Sequence, residues 1–314
     1  RTAMATLPAV IGLLPMPGGA LFSAPLVDDA DERNEVSPLL KTRINYWFRH
    51  IWEPIFPLYP SMMLAAALLD LTPRQLASAA WPVMVTTTAG GVFFGLVGLP
   101  RRPVGGPEAR CRAESARLLA GSIWPIALAV VLGLTLNVDE RLNMIIGLLV
   151  TIASTLILKR IPLRELWTIL HKHVPWRTVL IIFGALIFRR VLEMSGAIEA
   201  VSSEMADLHI PLAIVAFALP FMVGALTGVM AAAFSIGFSV ILPLISTDGS
   251  ALSLGWVNWL MAAGFMGAMC SPMHLCLGLT KEYFRAEWGT VYRYIVPAAL
   301  LTLITASVIL AFTR

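Results

Sequence analysis

Apolar runs close to the roughly 20 residues that a helix needs to cross a bilayer recur along the chain. They are Trp81–Leu99, Leu118–Leu136, Leu142–Leu158, Val179–Phe188 with its flanks, Pro211–Met222, Val229–Ile245, Leu252–Met269 and Ile295–Phe312. Other apolar stretches are broken. Thr2–Leu13 and Ala20–Val27 flank Pro15-Met16-Pro17-Gly18-Gly19, a turn that neither a helix nor a strand can contain. Ile210–Ile245 is too long for one span and has Gly224-Ala225-Leu226-Thr227-Gly228 at its centre. Each predicts a re-entrant helical hairpin, one turning at its Pro-Gly-Gly tip and the other at Thr227. Two complete spans are the alternative for the second.

Each hairpin is followed by an interrupted helix and then a whole one. After hairpin 2–27 come a broken helix over 41–71, interrupted by Pro54, Pro57 and Pro60, and a helix over 77–99. After hairpin 210–245 come a broken helix over 252–280, interrupted at Ser271-Pro272, and a helix over 294–312. Proline lacks a backbone donor and its ring clashes with the preceding turn, so it ends or kinks a helix. The order predicts two repeats of inverted topology. Residues 1–99 form the remainder of the first and 100–117 a cytoplasmic linker. Residues 118–314 form the second, which opens with scaffold helices over 118–192. No such helices precede the first hairpin, so their counterparts are expected ahead of Arg1. Gly/Pro-interrupted hydrophobic segments at matching places in two halves point to a transporter's midplane site. Irregular backbone at that depth survives only where protein buries it or a wet cavity receives it.

Charge orients this plan. Five arginines lie between Arg101 and Arg117, and further basic loops run from Lys159 to Arg177 and from Lys281 to Arg293. The segments Asn137–Glu140 and Ser195–His209 are poor in Lys and Arg and belong outside. The chain is 58% hydrophobic and 13% charged, with a mean hydropathy of +0.79. Soluble domains carry roughly 25% charged residues, so the expected class is an all-α polytopic membrane protein in contact with the lipid bilayer. The net charge of +4 sits in short loops and calls for no nucleic-acid partner. Cys111, Cys270 and Cys276 are an odd number without metal spacing, read as reduced thiols and not a disulfide framework.

Candidate chemistry clusters at the tips and breaks. Asn45, Arg49 and Glu53 are spaced i, i+4, i+8 and so share one helix face, with His50 beside it. An ionisable residue inside a membrane is a functional hypothesis by default. Arg49 is read as counter-charge for an anion, with His50 or Glu53 binding and releasing a proton. The alternative is a structural Arg49–Glu53 pair at the headgroup level. His274 follows Ser271-Pro272 in apolar sequence and is suited to donating to a substrate or carrying a proton. The alternative there is an imidazole satisfied by a carbonyl freed by Pro272. Pro17, Gly18, Gly19, Thr227 and Gly228 sit at the tips, where glycine lets backbone approach a ligand and following helix N-termini point partial positive charge at an anion. The expected substrate site therefore comprises these tip residues with Asn45, Arg49, Ser271 and His274. The expected proton carriers are His274, His50 and Glu53, and no metal or organic cofactor is expected.

The strings LPMPGGALFSAP, NYWFRHIWE and SPMHLCLGLTKEYF resemble an uncharacterised prokaryotic membrane family, the domain-of-unknown-function 401 proteins. That family is grouped with the ion transporter superfamily, which includes gluconate and dicarboxylate permeases. The resemblance covers essentially the whole chain. It implies a two-repeat fold with re-entrant hairpins, an elevator-like motion, a homodimer and residence in the prokaryotic inner membrane. It supplies no substrate. The Ser-Asn-Thr hairpin-tip motif of sodium-coupled dicarboxylate carriers is replaced here by Pro-Gly-Gly and Leu-Thr-Gly.

These features lead to a secondary active transporter of a small organic anion, a carboxylate or sugar acid, coupled to protons. A sodium-coupled carrier of the same fold is the alternative. A channel is a further class. An intramembrane hydrolase using Ser271 and His274 is another, although Pro272 distorts their spacing and no Gly-x-Ser-x-Gly is present.

Overall fold

The computed structural model describes residues 2–16, 18–31, 35–96, 124–133, 135–136, 140–172, 209–245 and 252–313, with scattered residues between 173 and 208. Every regular element among them is helical. The linker 100–117, Pro17 and most of 173–192 lie outside the described residues.

The first hairpin is α1 (Thr2–Gly12) and α2 (Ala20–Asp29). The first broken helix is α3 (Pro38–Arg49) and α4 (Pro60–Leu68), followed by α5 (Pro73–Gly90), which ends in one π-turn, Gly91–Gly95. Then come α6 (Trp124–Gly133), α7 (Glu140–Leu158) and the short α8 (Leu163–Lys172). The second hairpin is α9 (Leu212–Thr227) and α10 (Met230–Ile245). The second broken helix is α11 (Leu254–Met269) and α12 (Leu275–Phe284), followed by α13 (Trp288–Thr313). Hairpin, broken helix and long helix thus occur twice in the same order.

The breaks follow from local chemistry. Pro54 has no N–H to offer the His50 carbonyl and its ring collides with it, so α3 stops at Arg49. The His50 carbonyl accepts instead from the Glu53 N–H at 3.2 Å, a tighter turn. Pro272 does the same to the Ala268 carbonyl, which accepts from the Ser271 N–H at 3.2 Å as α11 ends at Met269. Because α3 ends before Glu53, the expected shared face holds only for Asn45 and Arg49. Glu53 lies in the turns between α3 and α4.

Packing exchanges partners between the two sets. The first half of each broken helix lies against the leading helix of its own hairpin, α3 on α1 and α11 on α9. The second half crosses to the other hairpin, α4 against α10 and α12 against α2. The long helices α5 and α13 pack on one another, and each touches the opposite broken helix, α5 on α11 and α13 on α3. By contrast, α7 touches this body only lightly, through α5.

Charged and polar side chains are buried within an apolar core, while many large apolar side chains face outward. Lys41, Arg43, Asn45, Arg49 and His50 are buried, while Leu226 is 72%, Ile157 75% and Phe312 85% exposed. Residues 73–95 and 288–313 form helices long and apolar enough to cross a bilayer. At the far end of α3 from the breaks, Lys41 Nζ holds Asp28 at 2.6 Å and Asp31 at 2.9 Å, pinning α3 to the end of the first hairpin.

Candidate functional site

Both helix breaks and both hairpin tips meet at one cavity of about 300 Å³, in the size range of small-molecule sites. Its polar lining is Arg49, His50, Glu53, Tyr59, Ser61 and His274, with Gly18 from one tip and Gly228 from the other. Four helices begin at its wall: the turn before α2 contributes Gly18, α4 contributes Pro60 and Ser61, α10 contributes Met230 and Ala231, and α12 contributes Leu275 and Cys276. The free N–H groups of a first turn carry partial positive charge. Four such ends around one space, with a guanidinium beside them, make a region of positive potential suited to an anion.

Arg49 is held by the first tip. Its Nη2 donates to the Met16 carbonyl at 3.0 Å, while Nε has no partner, and the residue is 2% exposed. A Cβ on Gly19 would fall within van der Waals contact of that guanidinium, so glycine is what admits Arg49 to the tip. Among the described residues no carboxylate comes within ion-pair distance of Arg49, although Glu53 lines the same cavity. Glu53 Oε2 is buried without a hydrogen bond. Tyr59 donates its hydroxyl to the Gly12 carbonyl, and Trp52 Nε1 donates to the Ala9 carbonyl at 3.0 Å, so the inter-helix turns lean on α1.

His50 and His274 join the two breaks. The Tyr46 carbonyl lies 2.6 Å from His50 Nδ1 and can only accept, so Nδ1 carries the proton and Nε2 presents its lone pair. His274 Nε2 is 3.1 Å from that lone pair and therefore donates to it. His274 Nδ1 is buried and makes no hydrogen bond of good geometry, with the Ala268 carbonyl that Pro272 frees and the Gly228 backbone as neighbours of the ring. Tyr46, tilted against the His50 ring and edge-on to the His274 ring, donates its hydroxyl to the Met269 carbonyl at 2.8 Å, at the end of α11.

The second tip rests on the second break. Gly228 has φ +67, and a Cβ there would come within 2.5 Å of the His274 backbone nitrogen, so both conformation and space call for glycine. Ser271 Oγ donates to the Ala225 carbonyl at 2.6 Å, and the Met273 N–H donates to Ser271 Oγ at 3.1 Å. Ser271 is a tie between α9 and the break and does not line the cavity. With His274 turned to His50, the Ser–His pair that a hydrolase needs is not formed.

Of the residues expected from sequence, Gly18, Arg49, His50, Glu53, Gly228 and His274 line the cavity, and Gly19 shapes it through Arg49. Asn45 is set back: its amide donates to the Ala20 carbonyl and to Thr280 Oγ1, both at 3.1 Å, tying α3 to α2 and α12. Thr227 is exposed and donates to the Val223 carbonyl at 2.7 Å, capping its own helix. Pro17 lies outside the described residues. Tyr59, Ser61 and Cys276 were not anticipated. Tyr59 and Ser61 flank Pro60 at the start of α4, and Cys276 follows His274 by two residues, so helix-start signals beside the breaks would have found them.

Fold and site together define an all-helical protein built around a positive cavity at the meeting of two hairpins and two broken helices. The family model described as "Protein of unknown function (DUF401)" matches residues 1–313, and the chain belongs to that family. Comparison with curated proteins gives no match.

Proposed function

We propose that this chain is a secondary active transporter that moves a small organic anion, a carboxylate or sugar acid, across the prokaryotic inner membrane. The observation that carries the reading is the convergence on one cavity of four helix N-termini and an Arg49 that makes no ion pair among the described residues. Half-helix N-termini aimed at an anionic group are the signature of binding sites built from discontinuous helices. The exposed apolar surface and buried cations fit a chain solvated by lipid. The exchange of packing partners between the two sets of elements fits two repeats of inverted topology, the arrangement of the ion transporter superfamily, acting as a homodimer with an elevator-like motion.

Proton coupling is the proposed mode. Glu53 is the group best suited to it: a carboxyl in the cavity wall with Oε2 unpartnered, able to hold a proton when the site loads and release it on the other side. Reconstituted into proteoliposomes, the protein should accumulate its anion in a way that collapses with a protonophore and survives replacement of sodium by potassium. Loss on sodium removal, with indifference to the protonophore, would replace protons with sodium as the coupling ion.

A further inference from the structure

The cavity wall also carries a set of soft ligands. One ring nitrogen of His50, one of His274 and Cys276 Sγ all lie within 4.8 Å of one another. The two Nε2 atoms are 3.1 Å apart. Two methionines, Met16 and Met230, line the same space. Donor atoms each about 2.0–2.3 Å from a shared ion stand up to about 4.5 Å apart, so a small turn of the Cys276 side chain closes the set. We propose that His50, His274 and Cys276 form a binding site for a soft monovalent metal ion of the Cu⁺ type, spanning the two helix breaks.

Softness and charge select the ion. Thiolate and thioether ligands favour Cu⁺, and imidazole accepts it as well. A divalent ion would add net positive charge to a cavity that already faces Arg49 and four helix N-termini. A monovalent ion bound to one thiolate adds none. His50 is already in the tautomer that metal binding needs, with Nδ1–H fixed on the Tyr46 carbonyl and Nε2 free to coordinate. On binding, the His274 proton moves from Nε2 to Nδ1, where the Ala268 and Gly228 backbone lies beside the ring, and Cys276 releases its thiol proton. One proton leaves per ion bound. Because His50 lies between α3 and α4 while His274 and Cys276 begin α12, the ion staples one break to the other.

This inference shares the cavity with the transport reading but does not depend on it, because it is tested by metal binding alone. The purified full chain, in detergent and with a non-thiol reductant, is titrated with Cu⁺ against a colorimetric Cu⁺ chelator, and separately with Zn²⁺. One Cu⁺ per chain is expected. His274→Gln and Cys276→Ser should each weaken it by on the order of 100-fold or more, beyond the cost of losing an outer-shell partner. Cys270→Ser should leave the affinity unchanged, and Zn²⁺ should bind more weakly than Cu⁺. Thermal melts check that each variant is folded, and the wild-type stoichiometry needs no variant. Absence of a Cu⁺ site in the wild-type chain, affinity that survives Cys276→Ser, or Zn²⁺ binding as tight as Cu⁺ would each overturn the proposal. Anion-induced stabilisation of the same preparation is read separately, so a failed metal site leaves the transport reading standing.

Discussion

Gly19 is the residue on which the Arg49 position turns. A Cβ there collides with the guanidinium, whereas one on Gly18 meets only side-chain carbons at 3.4 Å and beyond. Gly19→Ala should therefore push Arg49 out of the tip, costing about 1–3 kcal/mol of stability, typical of overpacking, and about tenfold in anion affinity, as expected when one hydrogen-bonded charge worth about 1.4 kcal/mol is lost. Gly18→Ala should lose stability through its backbone, since φ is +70, but keep Arg49 in place and bind anion nearly as well. Thermal melts with and without anion separate the two. At this scale the sequence was informative about which residue types matter and less so about where they point. Arg49, His50, Glu53 and His274 stood out because ionisable groups are rare in apolar sequence. Ser271, Asn45 and Thr227 looked equally suited, yet each turns its donor to a backbone carbonyl or a neighbouring hydroxyl, within its own helix for Thr227 and across tertiary contacts for Ser271 and Asn45.

The helix breaks are the elements that bring the site together, and proline sets both. Pro272→Ala restores a donor four residues after Ala268 and removes the ring that blocks its carbonyl. The variant should let α11 run on, draw His274 away from His50 and weaken anion binding, measured as a smaller ligand-induced shift in melting temperature. An unchanged shift would mean that the break is held by the Gly228 contact and not by proline. Proline and glycine spacing made the order of hairpin, broken helix and long helix readable in advance. Their exact stops were not, because the clash acts on the carbonyl four residues earlier and not at the proline. The Lys41 clasp is a second device at this scale. Burial opposes charge at Asp31, but hydrogen bonds from Lys41, Val36 and Glu35 outweigh it and hold that carboxyl below its ordinary range. Burial likewise opposes charge on Lys41, and the two aspartates outweigh it and hold the amine above its ordinary range. The Asp31 contribution is thus present above about pH 3.9 and lost as pH falls through its lower folded value. The Lys41 contribution is present below about pH 10.4 and lost as pH rises through its higher folded value. Lys41→Met should cost about 3 kcal/mol between those limits, by leaving a buried carboxylate unpaired. Melting curves should draw toward the wild type as pH falls through the lowered Asp31 value and as it rises through the raised Lys41 value.

At the scale of the molecule, two sets of elements exchange partners so that their interruptions coincide. Each hairpin tip lies against a helix break, and each break sends its second helix to the other hairpin. A long-range contact of this kind is invisible to a reading that moves along the chain, although the repeated order of elements hinted at it. The consequence is a positive cavity whose walls come from both sets, so that a shift of one set against the other must alter the site. The central claim is that this cavity binds a small organic anion through Arg49. The direct test is the thermal stability of the purified full chain against a panel of carboxylates and sugar acids, at two pH values, with and without sodium. A ligand that binds only the folded state raises stability by mass action, by about 2.7 kcal/mol at a hundredfold excess over its Kd. The account predicts at least one anion that stabilises the wild type, more at the lower pH and without need of sodium, and that stabilises a folded Arg49→Ala variant markedly less. An anion that stabilises Arg49→Ala as well as the wild type, or no stabilisation by any member of the panel, would contradict it.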